Sequence, residues 1–390
     1  MSDEQAFLRS LLANPSDDTL RLVFADWLDD RGDPRGTFLR LEVAFQRADE
    51  ASRAELSERL HHARCGLDAR WLALVDRPQP GWRIVRIGEH TKAYGRAIPA
   101  FIHNGSYHFA PVEACGDGAI NCWGFVDAPL FRDKLAQGWV VPRARVGGTL
   151  SIHNLGQARV EAAEWDRTRG DIEREVLDAI RETNPAMDGL LDMGGTDVEV
   201  RNGLRYAKGA GLGEAKPYRV TWSGDEVLGD ELPVLEVAAG GLRLRPWLIY
   251  ADGLTQVGYA TELLPIEAVG RMFEEGQLTL SVPAGAWVTL DGLGRFRAGE
   301  GSWWIELGER LREASDLLDQ LNGGPGARHL CMEAHRAFEA APSEEKREAL
   351  RRAYEAVPEH LRMYCGDMDS KDGPIRRILG EFGDEGDTDE

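Results

Sequence analysis

The first 78 residues alternate apolar and polar positions with the period of an amphipathic helix. Apolar side chains recur three and four residues apart, as in Leu20, Phe24 and Trp27, which places them on one face of a helix. Residues 14–18 separate this stripe from an earlier one and offer aspartates that can cap the second helix. The pattern therefore predicts a helical module over residues 1–78.

The pattern of residues 82–165 occurs a second time in residues 217–304. The offset between the copies is 134 residues at the first matched proline and 138 residues at the last matched glycine. Because the matched residues are turn formers and apolar anchors, the repeat specifies a scaffold and carries no chemistry of its own. The landmark pairs are Pro99 with Pro233, Pro111 with Pro246, Asp117 with Asp252, Gly124 with Gly258, Gly138 with Gly276 and Gly156 with Gly294.

Each copy is predicted to be rich in β-strands with one short helix. The Asp-Gly pairs at 117–118 and 252–253 are typical of hairpin turns. Pro129 and Pro265 stand where proline is favoured in the first turn of a helix. A further helix is predicted after each copy, at residues 171–182 and 307–321.

The fold class predicted from these elements is α+β. A helical N-terminal module leads into two tandem copies of a β-rich α+β domain and then into a helical C-terminal region. The last ten residues contain six acids and one apolar side chain, a composition typical of disorder. The predicted domains are 1–78, 82–186, a connector at 199–216, 217–322, 328–380 and a disordered acidic tail at 381–390.

Two segments resemble known families. Residues 2–41, and in particular 19–28 followed by 32–40, resemble the repeat-companion domain, a short N-terminal module of planctomycetes and myxobacteria. That resemblance implies attachment to varied downstream domains and no established activity. Residues 82–165, especially 117–126 and 138–142, resemble an uncharacterised bacterial domain of unknown function. The second resemblance implies no chemistry.

The charge balance argues against nucleic acid and membrane partners. The chain has 66 acidic and 46 basic residues and a formal net charge of −20, whereas binding to phosphate backbones or anionic lipids relies on Lys and Arg. The arginines of residues 1–78 are interleaved with acids, which is typical of a solvated face with local ion pairs. We therefore expect no association with DNA, RNA or a membrane.

The sequence favours a cytoplasmic location. No apolar run approaches the ~20 residues of a membrane span. The residues at the N-terminus lack the basic and apolar regions of a secretory signal. The five cysteines are scattered and odd in number, which favours unpaired thiols in a reducing compartment.

Three stretches match ligand-binding motifs only in part. Residues 209–216 are glycine-rich but fit neither phosphate-loop pattern. A calcium loop over residues 367–378 lacks a ligand, the required glycine and the final acid. His329, Cys331 and His335 have no fourth zinc ligand nearby in sequence. We predict no metal site and no cofactor.

Five residues of the helical module form its densest polar constellation: Asp26, Trp27, Asp33, Arg35 and Arg40. They are candidates for recognising a partner. The alternative is structural. On that account Trp27 is a core residue, Asp33 and Arg35 belong to a turn, and the arginines pair with neighbouring aspartates.

Copy one has polar and aromatic residues that copy two lacks: His103, His108, His153, Trp123 and Asp127. If one copy has acquired a binding site, these unmatched residues mark it, and Trp123, Asp127 and His153 are the binding candidates. The alternative is that they are surface and turn substitutions in a diverged repeat.

The function predicted from the sequence is a non-enzymatic binding or adaptor protein with a protein partner or a small ligand. The scaffold-only repeat and the acidic charge favour it. No serine-hydrolase, zinc-protease, kinase or P-loop motif is present. The alternative is an enzyme or ligand sensor with its pocket between the two copies, because pockets favour domain interfaces.

Overall fold

The computed structural model describes most of the chain. The described residues are 3–13, 17–48, twelve positions from 52 to 75, 82–87, 91–184, 187, 191, 198–201, 204–207, 215–221, 225–258, 263–300, 303–366 and 370–380. The predicted tail at 381–390 and part of the connector at 199–216 lie outside them.

Helices stand at both ends of the chain and strands fill the middle, which confirms the α+β fold class. The described helices are α1 Asp3–Ala13, α2 Asp18–Asp29, α3 Arg35–Arg47, α4 Ala128–Gln137, α5 Arg169–Thr183, α6 Ile266–Glu274, α7 Leu307–Leu321, α8 Ala327–Ala340, α9 Glu344–Ala356, α10 Glu359–Arg362 and α11 Gly373–Leu379. Among them, no helix combines the length and apolarity needed to cross a bilayer.

The strands belong mainly to the two copies. Those up to the end of copy one are β1 Trp82–Ile87, β2 Thr91–Ile98, β3 Phe101–His103, β4 Tyr107–Phe109, β5 Val112–Cys115, β6 Ile120–Asn121, β7 Phe125–Val126, β8 Val140–Val141, β9 Thr149–Ile152 and β10 Gly156–Trp165. Those that follow are β11 Val198–Arg201, β12 Leu204–Ala207, β13 Ala215–Val220, β14 Glu226–Ala238, β15 Gly241–Tyr250, β16 Leu254–Val257, β17 Leu264–Pro265, β18 Leu278–Thr279, β19 Trp287–Leu290, β20 Gly294–Ala298 and β21 Trp303–Trp304.

The N-terminal helices pack around an apolar core that contains Phe24 and Trp71. Asp17 begins α2 by accepting a hydrogen bond from the backbone N–H of Leu20 at 3.0 Å. A buried ion pair, Arg21 Nη1 to Glu42 Oε2 at 2.6 Å, joins α2 to α3. Helices α1 to α3 confirm the helical character predicted for the N-terminal module.

The two copies have the same strand pairing, residue for residue. β3 pairs with β8 through Phe101 and Val141, and the matching pair in copy two is Leu235 with Thr279, between β14 and β18. The parallel pairing of β4 with β9 recurs between β15 and β19. Each copy also ends in a helix, α5 or α7, which confirms the predicted duplication.

The helices that end the two copies, α5 and α7, are anchored in the same way. The side-chain amide of Asn184 donates to the carbonyl oxygen of Gly116 at 2.8 Å after α5, and that of Asn322 donates to the carbonyl oxygen of Ala251 at 2.9 Å after α7. These four residues occupy equivalent positions in the two copies. The duplication therefore includes the helices as well as the strands.

One landmark pair needs correction. Glycine identity suggests that Gly124 matches Gly258, but the strands give a different answer. Asn121 pairs with Glu113 on β5, and its counterpart Gln256 pairs with Leu248 on β15. Counting two residues on from Asn121 and from Gln256 shows that Gly258 is the counterpart of Trp123. The prediction followed residue type, whereas strand register defines equivalence.

The copies meet through backbone pairing and a shared core. β10 of copy one pairs with β20 of copy two, with Val160 opposite Ala298, and the start of β10 pairs with β21. Val160 and Ala298 are themselves equivalent, so this pair lies on a pseudo-twofold axis. The largest apolar cluster combines Phe101 and Leu150 of copy one with Phe296 and others of copy two.

Two further regions complete the molecule. Inside the predicted connector, β11 and β12 form a hairpin, and β13 pairs with both β1 and β14. The C-terminal helices have their own core, which includes Cys331, Tyr354 and Cys365. The helical C-terminal region is thus confirmed for its described residues.

Candidate functional site

The most distinctive surface of the molecule lies on copy one, where three rings meet. Trp123, in the turn between β6 and β7, lies over His108 of β4 with ring centroids 4.7 Å apart. It also contacts Trp139 edge-on, at 6.4 Å. The Trp139 indole N–H is directed at the carbonyl oxygen of Cys122, at 3.4 Å. We call His108, Trp123 and Trp139 the aromatic shelf.

Trp123 combines exposure with an unfavourable backbone. Its side chain is 49% exposed, and its φ of 60° lies in the left-handed region. For a residue with a bulky side chain, that region costs about 1–2 kcal/mol. A large apolar ring is therefore held in solvent at a conformational cost, which marks Trp123 as a functional candidate.

The equivalent position in copy two is glycine, in the same conformation. Gly258 also has a φ of 60°, which costs glycine nothing. A β-carbon on Gly258 would lie 2.9 Å from Cδ of Arg245. In copy one the counterpart of Arg245 is Ala110, which has no δ-carbon. The substitution of arginine by alanine leaves room for the tryptophan, so the two differences belong together.

In copy two, charged residues occupy the positions that surround the shelf in copy one. Arg245 pairs with Glu236 at 2.7 Å and with Asp291 at 2.5 Å. Arg243 adds a second contact to Asp291 at 3.5 Å. In copy one, alanine, isoleucine and two histidines replace these four charged residues. The counterparts of Arg245, Glu236, Asp291 and Arg243 are Ala110, Ile102, His153 and His108.

The two imidazoles are held neutral. Burial lowers the pKa of His108, and the nearby charge of His103 lowers it further. Burial also lowers the pKa of His153, against the raising effect of Glu313. Nε2 of His108 is 2.9 Å from the side-chain oxygen of Asn104 and 3.0 Å from Oγ of Ser106. At neutral pH the shelf residues therefore carry no charge.

His153 also stands beside a buried polar cluster that reaches the C-terminal region. The next residue, Asn154, accepts a hydrogen bond at its carbonyl oxygen from Arg310 of α7. Arg310 pairs in turn with Glu313, and His360 of α10 lies with Nε2 at 3.5 Å from Oε2 of Glu313. The Glu313 and His360 side chains are each only 5% exposed. Copy one, copy two and the C-terminal region meet here.

Asp127, the third candidate of copy one, has a structural role. It is buried and begins α4, where its side chain accepts a hydrogen bond from the backbone N–H of Leu130 at 3.0 Å. The structure thus brings Trp123 against the ring of His108 and His153 within reach of the charge of His108, and it places Asp127 in a helix cap.

Trp139 is the shelf residue that sequence reasoning missed. Its signal was present, because the match of Gly138 with Gly276 sets Trp139 opposite Gln277, an aromatic residue without an aromatic counterpart. Lys134 lies with Nζ 5.1 Å from the centroid of the Trp139 ring. Arg310, Glu313 and His360 were also missed, because residues so far apart in sequence give no local signal.

The candidates of the N-terminal module pair with one another. Arg40 forms ion pairs with Asp26 and with Asp29, the latter at 2.8 Å. Arg35 holds Asp33 at 2.7 Å and also pairs with a glutamate of α1. Asp33, bonded by Arg35, has a lowered pKa.

Trp27 packs against the N-terminal core. Its ring is tilted against those of Phe7 and Phe24, and the guanidinium of Arg31 lies 3.7 Å from its centroid. These contacts agree with the structural alternative, in which Trp27 is a core residue and the arginines pair with neighbouring aspartates. A binding role for its five candidates stays a prediction, and the module lies apart from the shelf in sequence and in core.

Metal ligands do not converge in the described part of the chain. No group of three or more His, Cys, Asp or Glu side chains there is arranged to hold a metal ion. Cys115 and Cys122 are buried free thiols, and burial raises the pKa of Cys122 to about 11. Such thiols are poor nucleophiles at neutral pH. The shelf offers ring faces and neutral hydrogen-bonding groups.

Comparison with protein families finds three matches along the chain. A domain of unknown function, DUF7638, matches residues 83–187 and again residues 217–325. A second domain of unknown function, DUF7639, matches residues 326–390. No curated protein and no solved structure matches the chain. The resemblance of residues 82–165 to a domain of unknown function is confirmed, while that of the N-terminal segment to the repeat-companion domain stays a prediction.

Proposed function

The chain belongs to the DUF7638 family, whose domain it carries twice, and from the difference between its two copies we propose that it is a non-enzymatic binding or adaptor protein. The binding surface in this proposal is the aromatic shelf of copy one. Copy two, in this proposal, supplies the scaffold against which copy one is held. The proposal includes a cytoplasmic location and an N-terminal module of the repeat-companion type.

Trp123 is the single observation that carries the proposal. Its half-exposed ring sits on a left-handed backbone position that the other copy fills with glycine. Copy two folds with the same strand register and no ring at this place, so the scaffold does not need one. A residue that the fold does not need, kept at a conformational cost, is best explained by what it binds.

The chemistry of the shelf favours a protein partner. Exposed tryptophan is the residue type most enriched among the side chains that dominate protein–protein binding energy. The neutral imidazoles of His108 and His153 add hydrogen-bonding groups without charge. An apolar or aromatic anchor with a few hydrogen bonds suits this surface. A phosphate backbone does not, because the shelf has no cluster of positive charge.

The contact between the copies gives less support to a pocket there. That contact consists of paired strands and of buried apolar side chains such as Val160 and Ala298. The polar groups that the described residues bring across it bond to one another, as Arg310 does to the carbonyl oxygen of Asn154, whereas a catalytic pocket needs polar groups directed at a substrate. The enzyme alternative therefore has no observation of its own in its favour.

The test compares two equally exposed tryptophans. The full chain is used as bait in a cell extract beside its Trp123→Gly and Trp303→Ala variants, and captured proteins are quantified. Trp303 is 50% exposed and lies at the start of β21, so its replacement is the matched control. We expect a protein retained by the wild type and by Trp303→Ala and lost with Trp123→Gly, and its affinity is then measured by titration with the purified partner.

Equal recovery by all three baits would contradict a role for the shelf. A partner lost with Trp303→Ala alone would place the binding surface on copy two. A low-molecular-weight ligand that co-purifies with the wild type and not with Trp123→Gly would favour a small ligand over a protein.

A further inference from the structure

The C-terminal region docks on α7 through the ends of its own helices. Asp316 accepts a hydrogen bond from the backbone N–H of Ala327 at 2.6 Å, at the start of α8. Glu309 accepts one from the backbone N–H of Glu359 at 3.0 Å, at the start of α10. Acids thus satisfy backbone donors that a helix cannot satisfy internally.

The other two contacts complete the pattern. Arg312 donates to the carbonyl oxygen of Glu355 at 3.4 Å, in the last turn of α9, where a cation is favoured. Glu313 faces the imidazole of His360 at 3.5 Å. We call Glu309, Arg312, Glu313 and Asp316 the α7 docking face. Its acids meet helix starts and its arginine meets a helix end.

Helix α5 of copy one carries the same four groups at the equivalent positions. Asp171, Arg174, Glu175 and Asp178 stand where α7 has Glu309, Arg312, Glu313 and Asp316. The internal ion pair is kept as well, since Arg174 pairs with Asp171 as Arg312 pairs with Glu309. We call these four residues the α5 face.

The packing positions of the two helices differ, since the buried Ile172 of α5 stands opposite the buried Arg310 of α7, whereas the four docking positions agree. Next to them, Arg181 of α5 stands opposite Asp319 of α7, and Glu182 stands opposite Gln320. If the surface charges had diverged at random since the duplication, they would differ at the docking positions as they differ at positions 181 and 182. Asp171 also completes the capping box of α5 with Thr168, but that role does not account for the agreement at Arg174, Glu175 and Asp178.

The α5 face is more open than the α7 docking face. The Asp171 side chain is 32% exposed where Glu309 is 16% exposed. Glu175 is 26% exposed where Glu313 is 5% exposed. In the described part of the chain, the polar contacts of the α5 face stay within residues 167–181. Within the described ranges, no helix end meets the α5 face as those of the C-terminal region meet α7.

We propose that the α5 face is a second docking site, and that its occupant is a helical domain of the same type as residues 326–380 carried by another polypeptide. The helix ends of such a domain supply the backbone donors and the carbonyl that these four groups match. This inference goes beyond the shelf and does not depend on it.

The occupant comes from another chain for a physical reason. The chain's own C-terminal region is tethered to α7 by residues 322–326, and a short tether makes local docking an intramolecular event at an effective concentration in the millimolar range. A tether of about five residues also spans at most ~18 Å, so the C-terminal region stays on the helix that precedes it.

The test releases the C-terminal region within the full chain. In the double variant Glu309→Lys with Arg312→Glu, the ion pair within α7 is kept in reversed order, while both contacts to the helix ends become repulsive. Hydrogen exchange at α10 reports the release, and Glu313→Lys is added if exchange there stays slow. We expect the released region to dock on α5 of a second molecule, so that sedimentation velocity shifts from monomer to dimer.

The same experiment contains its control. Adding Arg174→Glu with Asp178→Lys on α5 is expected to return the released variant to a monomer. Adding Arg59→Glu, which reverses an arginine that is 60% exposed on the N-terminal module, is expected to leave the dimer intact. A released variant that stays monomeric, or a dimer that survives the α5 substitutions, would overturn the proposal.

Discussion

The two copies have the same strand register and differ in what they place at one position on that scaffold. Copy two has Gly258 and, around it, an ion network centred on Arg245 and Asp291. Copy one has Trp123, 49% exposed, with the neutral imidazole of His108 beside it, and His153 at the position of Asp291. In copy two the charged side chains pair with one another, whereas in copy one the ring of Trp123 is exposed to solvent.

The difference shows which features belong to the fold and which were added to it. The left-handed backbone at this position is common to both copies, so it is a property of the scaffold. Glycine accepts that backbone without cost, whereas tryptophan is strained by about 1–2 kcal/mol. Ala110 in place of arginine makes room for the ring. The features added in copy one therefore point to binding.

The largest expected effect tests whether the copies form one folding unit. Phe296 of copy two is fully buried in the core that both copies share. We expect Phe296→Ala to lower the free energy of unfolding by about 3–5 kcal/mol. Because the core is shared, hydrogen exchange should accelerate in β10 of copy one as well as in β20.

The control for this prediction lies in the separate C-terminal core. Tyr354→Ala removes a ring that is 2% exposed there, and it is expected to leave exchange in β10 unchanged. If Phe296→Ala accelerated exchange in copy two alone, the copies would be independent domains, and comparing equivalent positions in them would no longer be justified.

A smaller effect is expected from placing a side chain on the glycine of copy two. Gly258→Ala should cost about 1–2 kcal/mol for the left-handed backbone, and the contact of its β-carbon with Arg245 adds to that cost. Gly253→Ala is the matched control, because its φ of 81° is also left-handed but no atom lies within 4 Å of its β-carbon. Urea unfolding measures both.

We expect Gly258→Ala to be the more destabilising of the two, and we expect this excess destabilisation to disappear when both are measured in an Arg245→Ala background. An excess that persisted without Arg245 would show that the alanine of copy one is not what makes room for Trp123.

The next prediction concerns pH. Burial lowers the pKa of both His108 and His153, so the unfolded chain takes up these protons at a higher pH than the folded chain does. Their contribution to stability is therefore full above the unfolded pKa of about 6.5 and is lost as the pH falls through the folded pKa. Copy two has Arg243 and Asp291 at these positions, so it has no histidine at either of them.

Grafting the copy-two pair tests this contribution. We expect the double variant His108→Arg with His153→Asp to lose less stability than the wild type between pH 7 and pH 5, as measured by urea unfolding at both values. An equal loss in the two proteins would mean that other groups carry the pH dependence.

The fold was largely predictable because its signals are local. Turn residues such as Asp117-Gly118 dictate backbone conformation wherever they stand, so matching them along the chain identified the duplication and the helix after each copy. The hairpin of β11 and β12 was missed, since glycine and lysine in residues 199–216 gave the appearance of a connector. The match of Gly124 with Gly258 was wrong because the strand register makes the preceding residue, Trp123, the counterpart of Gly258.

The site was predictable only in part. Trp123 and His153 stood out because they had no counterpart in copy two, and the structure brings both to His108. Their assembly depends on the parallel pairing of β4 with β9, which sets His108 opposite Ser151. No local pattern encodes that pairing. The same limit hid Arg310, Glu313 and His360, which come from two helices more than thirty residues apart.

The most direct test of the central claim is the free energy of unfolding of Trp123→Gly. If Trp123 is kept for binding, the relief of its left-handed backbone, about 1–2 kcal/mol, should roughly offset its lost ring contacts, about 0.5–1.5 kcal/mol. We expect a free energy of unfolding within about 1 kcal/mol of that of the wild type. A loss of more than about 3 kcal/mol, as for a core aromatic residue, would show that Trp123 holds the fold together and would contradict the account.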